Sequence, residues 1–153
     1  MRFSPLASVA GALMVLASVS AAAQTFATKD EAVAMVGKAV AHLKSAGKDK
    51  ALAAFNDKNG GFTDRDLYVV VYDFSGRCIA HGANLKLIGK DLIDAQDIDG
   101  KLYVKERIEL ANSKPSFWQD YKFTNPTNKK VEPKQMYCEV ASENIVCAGV
   151  YKQ

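Results

Sequence analysis

Between Leu67 and His81 the chain reads Leu-Tyr-Val-Val-Val-Tyr-Asp-Phe-Ser-Gly-Arg-Cys-Ile-Ala-His. Leu67 to Tyr72 is an unbroken apolar run, mostly β-branched or aromatic. It has the length of a strand, is too short for a typical helix, and is apolar on both of its alternating faces. Such a run predicts a central strand covered on both sides. Asp73-Phe74-Ser75-Gly76 has the composition of a tight reversal, and Cys78 to Ala80 resumes a short strand, so the segment is a hairpin. The hairpin runs out at His81 and Gly82, which puts an imidazole at the lip of the sheet, where a ligand could meet it. A lone histidine at a strand end is more often a surface or satisfied residue, so the position alone does not assign it a role.

The stretch before this sheet core divides in two. Met1 to Ala23 carries one charge, Arg2, then a largely apolar run from Leu6 to Val19, and ends in Ala21-Ala22-Ala23. These are the parts of a secretory signal peptide, with cleavage expected before Gln24. The apolar run is interrupted by Ser8, Gly11 and Ser18 and falls short of the ~20 residues that a membrane span needs. Residues 24–153 are therefore expected to form one soluble domain, exported across the inner membrane to the periplasm, with no span of its own. Without Arg2, 19 Lys and Arg stand against 17 Asp and Glu, a formal net charge of +2. That is too near neutrality to argue for nucleic acid.

Thr28-Lys29-Asp30-Glu31 fits a capping box, and Ala32, Val36, Val40 and Leu43 recur at helical spacing after it. The spacing predicts an amphipathic helix to Ser45, with His42 beside its apolar stripe. Gly47 interrupts, and Ala51, Leu52 and Phe55 continue a second helical piece. Gly82 to Gly100 is loop-like. Its Asp97-Ile98-Asp99-Gly100 does not make a calcium loop, because Ala95 would stand at the first ligand position and Tyr103 at the ninth.

Lys101 to Asn112 is expected to be a helix that packs through Leu102, Ile108 and Leu110. Ser116 to Phe123 alternates as a strand, with Phe117, Gln119, Tyr121 and Phe123 on one face and Trp118 on the mixed face. Pro133 is expected to delay the next strand. Lys134 to Val140 and Asn144 to Tyr151 form a second hairpin in which facing residues have numbers summing to 285. Cys138 then stands opposite Cys147, and in an oxidising compartment the two can form a disulfide, the alternative being two buried thiols. Cys78 is left over as a buried filler, and three cysteines with no nearby His pair do not make a zinc site.

Several fragments together carry a family resemblance. They are Leu67 to Asp73, Gly76, Ala80-His81, Leu87 to Asp91, Asp99-Gly100, Phe117-Trp118 with Tyr121-Lys122, Asn125-Pro126, Lys134 with Tyr137, and Gly149-Val150-Tyr151. In this order they resemble the single Cache domain of type 2. The resemblance implies an α+β, PAS-like fold: a long N-terminal helix packed on a five-stranded antiparallel sheet, with a helical insert closing a small pocket on the other face. It also implies a non-catalytic sensor module, without a cofactor, that recognises a small carboxylate such as acetate, propionate, pyruvate or lactate.

A buried carboxylate needs a fixed cation and directional donors. On this reading Lys134 supplies the charge, Tyr121 and Tyr137 the phenolic donors, His81 a further donor, and Trp118 an apolar wall. The family usually has Pro after the hairpin histidine, so Gly82 is expected to loosen that loop. The chain ends two residues past its last strand, and a free-standing member of this kind would act through a membrane receptor or kinase. The alternative is a structural or interaction subunit whose pocket is filled and which docks onto such a receptor. For an enzyme there is no nucleophile elbow, no paired carboxylates near a histidine and no metal-ligand spacing; its one foothold is an active thiol at Cys78, which would need an exposed, electropositive setting.

Overall fold

A computed structural model describes residues 25–152. The expected leader, residues 1–23, lies outside the described residues. Helix α1 (Lys29–Ala46) starts at the capping box: the Thr28 hydroxyl accepts from the Glu31 amide and the Glu31 carboxylate takes the Thr28 amide. Gly47 separates it from α2 (Lys48–Asn56). Six antiparallel strands follow: β1 (Thr63–Asp64), β2 (Leu67–Asp73), β3 (Cys78–His81), β4 (Ser116–Thr124), β5 (Val131–Ala141) and β6 (Asn144–Tyr151). A short 3-10 turn (Leu85–Leu87) and helix α3 (Tyr103–Ser113) lie between β3 and β4.

The strand order is β1-β2-β6-β5-β4, with β3 also on β2. β2 is buried along Leu67–Tyr72, as the apolar run requires. The sheet has one strand more than expected, because the two-residue β1 pairs with the start of β2. β5 begins at Val131 rather than after Pro133. The Pro133 carbonyl accepts from the Lys152 amide just past the end of β6, so the missing proline N–H falls at the end of the ladder.

One face of the sheet buries Val69, Val71, Val146, Ala148 and Val150 against Ala32, Val36, Ala39 and Val40 of α1 and Ala51 and Phe55 of α2. The other buries Tyr68, Val70, Tyr72, Phe117, Tyr121 and Met136 under Tyr103, Val104, Ile108 and Ala111 of α3. Cys138 and Cys147 face each other across β5 and β6 with Cα atoms 4.1 Å apart and are joined in a disulfide. The neighbouring residues Arg65 and Asp66 hold the entry to α1: Arg65 donates to the Phe26 carbonyl and to Glu31, and the Asp66 carboxylate accepts from the Ala27 amide.

Gly82 does not loosen its loop. Its amide donates to the Val69 carbonyl at 2.9 Å, a bond that proline could not make. A Cβ there would come within 2.9 Å of the Thr63 hydroxyl and 3.1 Å of the Tyr68 Cβ. The expected calcium-loop lookalike is a self-contained turn, in which the Asp97 carboxylate accepts from the amides of Asp99, Lys101 and Lys122. Cys78 is buried, its thiol is pushed up to about 11 by burial, and it donates to the Ala80 carbonyl, so it lacks the exposed setting of a reactive thiol.

Candidate ligand site

Strand parity decides which side chains meet. On β4 and β5, Tyr121 pairs with Lys134 and Trp118 pairs with Tyr137. These two pairs are an odd number of residues apart on each strand, so they point to opposite faces. Lys134 and Tyr121 lie under α3 with His81. Trp118 and Tyr137 lie on the α1 side instead, ring centroids 5.1 Å apart, with Lys29 over the indole at 5.2 Å. Tyr137 donates to Glu139. The five expected site residues therefore divide into three on the α3 face and two on the α1 face.

The face under α3 holds a second cation that the sequence reading passed over. Arg107 is 1% exposed. Its guanidinium carbon stands 5.1 Å from the ring centres of both Tyr72 and Tyr121 and 5.7 Å from that of Tyr103. Nε donates to the Gln119 side-chain oxygen at 3.0 Å, while both Nη atoms are buried with only the Tyr121 hydroxyl as a polar neighbour and no well-formed hydrogen bond among the described residues. A guanidinium is charged at every accessible pH and carries five donors, so this group is a cation whose outer fork no carboxylate fills among the described residues.

Lys134, 0% exposed, fills a neighbouring aromatic cage. Its ammonium lies 4.0 Å from the centre of the Tyr68 ring, 4.8 Å from Tyr151 and 5.8 Å from Phe123. It donates to the Tyr68 hydroxyl at 2.8 Å, with the Tyr151 hydroxyl at 3.5 Å. Tyr151 in turn donates to the Thr124 carbonyl. Burial, and then the charge of Arg107, hold the Lys134 pKa well below the ordinary lysine value. Gly149 makes room for this side chain, since a Cβ there would meet Lys134 Cε at 2.8 Å and the Gln135 carbonyl at 2.7 Å. Neither cation has a carboxylate in salt-bridge contact among the described residues.

His81 stacks on Tyr68 with centroids 5.1 Å apart. Burial, followed by the charges of Lys134 and Arg107, lowers its pKa to about 3, so the ring is neutral at pH 7. Nδ1 faces the amides of Ala83 and Asn84 as acceptor, which leaves the proton on Nε2 as a donor. Tyr68, His81 and Phe123 wall a cavity of about 370 Å³ that reaches Lys129 and Lys86 at its rim. Tyr121 and Lys134 border a second one, of about 230 Å³, edged by Lys101, Lys122 and Lys152 with Asp97, Asp99 and Asp120. The hydrogen-bonded pair Lys134 and Tyr68 stands between the two. Arg107 lines neither cavity and lies beneath Tyr121, while each cavity offers a small anion positive charge or directional donors beside apolar ring edges.

A helix-backed antiparallel sheet whose opposite face carries such a chamber defines a PAS-like ligand-binding domain. The family model for single Cache domain 2 matches residues 7–151, and the chain belongs to that family, whose members are sensory ligand-binding domains and not catalysts. The match begins within the apolar N-terminal stretch of the sequence. No curated protein sequence matches the chain.

Solved structures share the fold. A methyl-accepting chemotaxis protein from Vibrio parahaemolyticus is 22% identical with a TM-score of 0.70, covering 80% of this chain and 87% of its own. A Cache chemosensory domain, solved for the structural basis of carboxylic acid recognition, is 23% identical with a TM-score of 0.69, covering 81% and 92%. The periplasmic sensor domain of a chemotaxis protein is 24% identical with a TM-score of 0.63, covering 81% and 90%. No helix among the described residues is long and apolar enough to cross a membrane.

Proposed function

We propose that this protein is a periplasmic binding module for a small organic acid of the size of acetate, propionate, pyruvate or lactate, and that it acts through a membrane receptor or kinase. The observation that carries the reading is the Arg107 guanidinium, buried inside a ring of tyrosines with neither Nη atom in a well-formed hydrogen bond among the described residues. Leaving charge-bearing donors buried and unused is expensive unless a ligand completes them. A carboxylate matches the planar fork of two Nη groups, as do phosphate and sulfate, which serve as controls below. Lys134 adds a second positive charge, and the Tyr121 hydroxyl and His81 Nε2–H are the further donors. The phenyl edges of Tyr72, Tyr103 and Phe123 suit a short hydrocarbon or keto tail.

The test is a thermal-shift and calorimetric screen of the protein, refolded to remove bound ligand, against these acids with chloride, sulfate and phosphate as controls. A ligand at about 100 times its dissociation constant stabilises the native state by roughly 2.7 kcal/mol, several degrees for a domain of this size. A response confined to small carboxylates and lost in Arg107→Met supports the reading. A flat screen on folded protein overturns it in favour of a structural subunit whose tyrosines fill the chamber.

A further inference from the structure

We infer that Gln119 is the residue that turns Arg107 into an anion receptor, by satisfying its inner nitrogen with a neutral acceptor and thereby leaving its charge uncancelled for a ligand. The inference rests on the reading of Arg107 as the carboxylate anchor.

A buried arginine is ordinarily neutralised by a carboxylate, because an isolated charge in the interior is costly. Here the group in contact with Nε is an amide, at 3.0 Å, and it is 3% exposed. The orientation of that amide is fixed by its other neighbours. The Gln119 nitrogen lies 2.8 Å from the Tyr103 carbonyl and 2.6 Å from Glu106 Oε2, both of which can only accept. The oxygen must therefore be the atom that faces Arg107. Glu106 is held back in turn by Lys101, at 2.8 Å. The amide keeps the Glu106 carboxylate off the guanidinium, bonded to Gln119 and Lys101 instead. With Nε tied down, the fork is aimed and cannot swivel, and both Nη groups remain for the ligand. Gln119 is a positioning residue in this scheme: it sets where the charge points and that it stays unspent.

The discriminating variant is Gln119→Glu, nearly the same shape but able to become an anion. The groups facing position 119 are Tyr103, Glu106 and Arg107 of α3, Lys101 through its pairing with Glu106, Tyr121 of its own strand, and Lys134 beyond the uncharged Met136 of β5. Repulsion from Glu106 and the Tyr103 carbonyl favours a protonated acid at 119 at low pH, in which form its carbonyl oxygen still accepts from Arg107 and its one O–H replaces one of the amide's two donations. At higher pH it ionises and pairs with Arg107.

The experiment measures propionate and pyruvate affinity by calorimetry for the wild-type protein, Gln119→Glu and Gln119→Leu from pH 5 to pH 8. Gln119→Glu should bind near wild-type strength at pH 5 and weaken by at least about tenfold relative to wild type by pH 8, as a charge-assisted internal pair displaces the ligand. Gln119→Leu, which can neither accept nor ionise, should lose at least about tenfold at every pH. Gln119→Glu binding that tracks the wild type throughout, or a loss that does not change with pH, overturns the inference while leaving the carboxylate reading intact. So does unchanged binding by Gln119→Leu, the variant that decides the matter if Gln119→Glu does not fold. Folded wild-type protein that binds neither acid at any pH overturns both.

Discussion

The ammonium of Lys134 donates to the hydroxyl of Tyr68 at 2.8 Å while lying 4.0 Å from the centre of the same ring. One phenol thus serves as both acceptor and π-face for a cation that has no carboxylate in salt-bridge contact among the described residues.

That arrangement has a signature in alkali. The folded pKa of Lys134 lies below the ordinary 10.5, so below 10.5 the unfolded chain binds the proton more readily than the native one. This group therefore makes stability rise with pH from its folded pKa up toward 10.5. Lys134→Met removes the rise and, by replacing a buried charge with an apolar chain, should leave the ligand-free protein about as stable as wild type or up to ~2 kcal/mol more stable at pH 7. Urea titrations from pH 7 to 10 measure both effects; a Lys134→Met profile parallel to wild type would place the slope elsewhere.

His81 predicts the opposite end of the pH scale. Its folded pKa of about 3 is below the ordinary 6.5, so its contribution is complete above pH 6.5 and is lost as pH falls toward 3. Between pH 6.5 and 4.5 the loss should reach about 2–3 kcal/mol. His81→Asn, which keeps an acceptor for the Ala83 and Asn84 amides, should flatten this part of the curve. Denaturant midpoints across that range decide it.

Gly149→Ala should strike the site without touching its polar atoms. The added methyl would meet Lys134 Cε and the Gln135 carbonyl at under 3 Å, forcing the lysine out of its cage. We expect a loss of about 1–3 kcal/mol and a weakened carboxylate response. A variant with full ligand response would show that Lys134 need not lie across β6.

Trp118 and Tyr137 are expected to be silent in binding. Trp118→Leu and Tyr137→Phe remove groups on the α1 side of the sheet and should change ligand affinity by less than about twofold, with stability effects of about 1 kcal/mol from the lost aromatic contact. Tyr121→Phe, on the other face, should weaken binding. Calorimetry on the three variants compares the two sides directly.

The Cys138–Cys147 disulfide closes a short loop within the β5–β6 hairpin. Replacing both by alanine should lower stability by roughly 2–3 kcal/mol through the freer unfolded chain, a fall in Tm on the order of 5–10 °C. Calorimetric melts of the double variant against wild type test this, and an unchanged Tm would mean that the hairpin needs no crosslink.

Most of the architecture was legible in advance because it rests on patterns that act locally: the β2 run, the Thr28 capping box, the Gly47 break and the register that puts Cys138 opposite Cys147. β1 was not, since two residues carry no periodicity. The site was only half legible. Lys134, Tyr121 and His81 share the α3 face, with His81 lining one cavity and the other two a second, but Trp118 and Tyr137 were grouped with them on resemblance, although the alternation of Ser116 to Phe123 had already put Trp118 on the mixed face. Arg107 was missed because helix α3 was read for its leucines and Ile108. Its buried stripe is Tyr103, Val104, Arg107, Ile108 and Ala111, and a cation in the middle of an apolar stripe at 3.6-residue spacing is the signal that would have found it. The amide of Gln119 sat in plain view on an apolar strand face, and only the packed structure gives it a partner.

Because β4 and β5 carry Tyr121 and Lys134 of the proposed site on one side and the aromatic shelf of Trp118 and Tyr137 on the other, these strands behave like text printed on both sides of one sheet of paper. A single-residue insertion or deletion between Phe117 and Tyr121, or between Lys134 and Tyr137, would shift the reading frame and exchange the two pages. Buried cation and surface indole would trade places. Substitutions can retune this chamber one letter at a time, whereas changes of length are confined to the turns at residues 125–130 and 142–143.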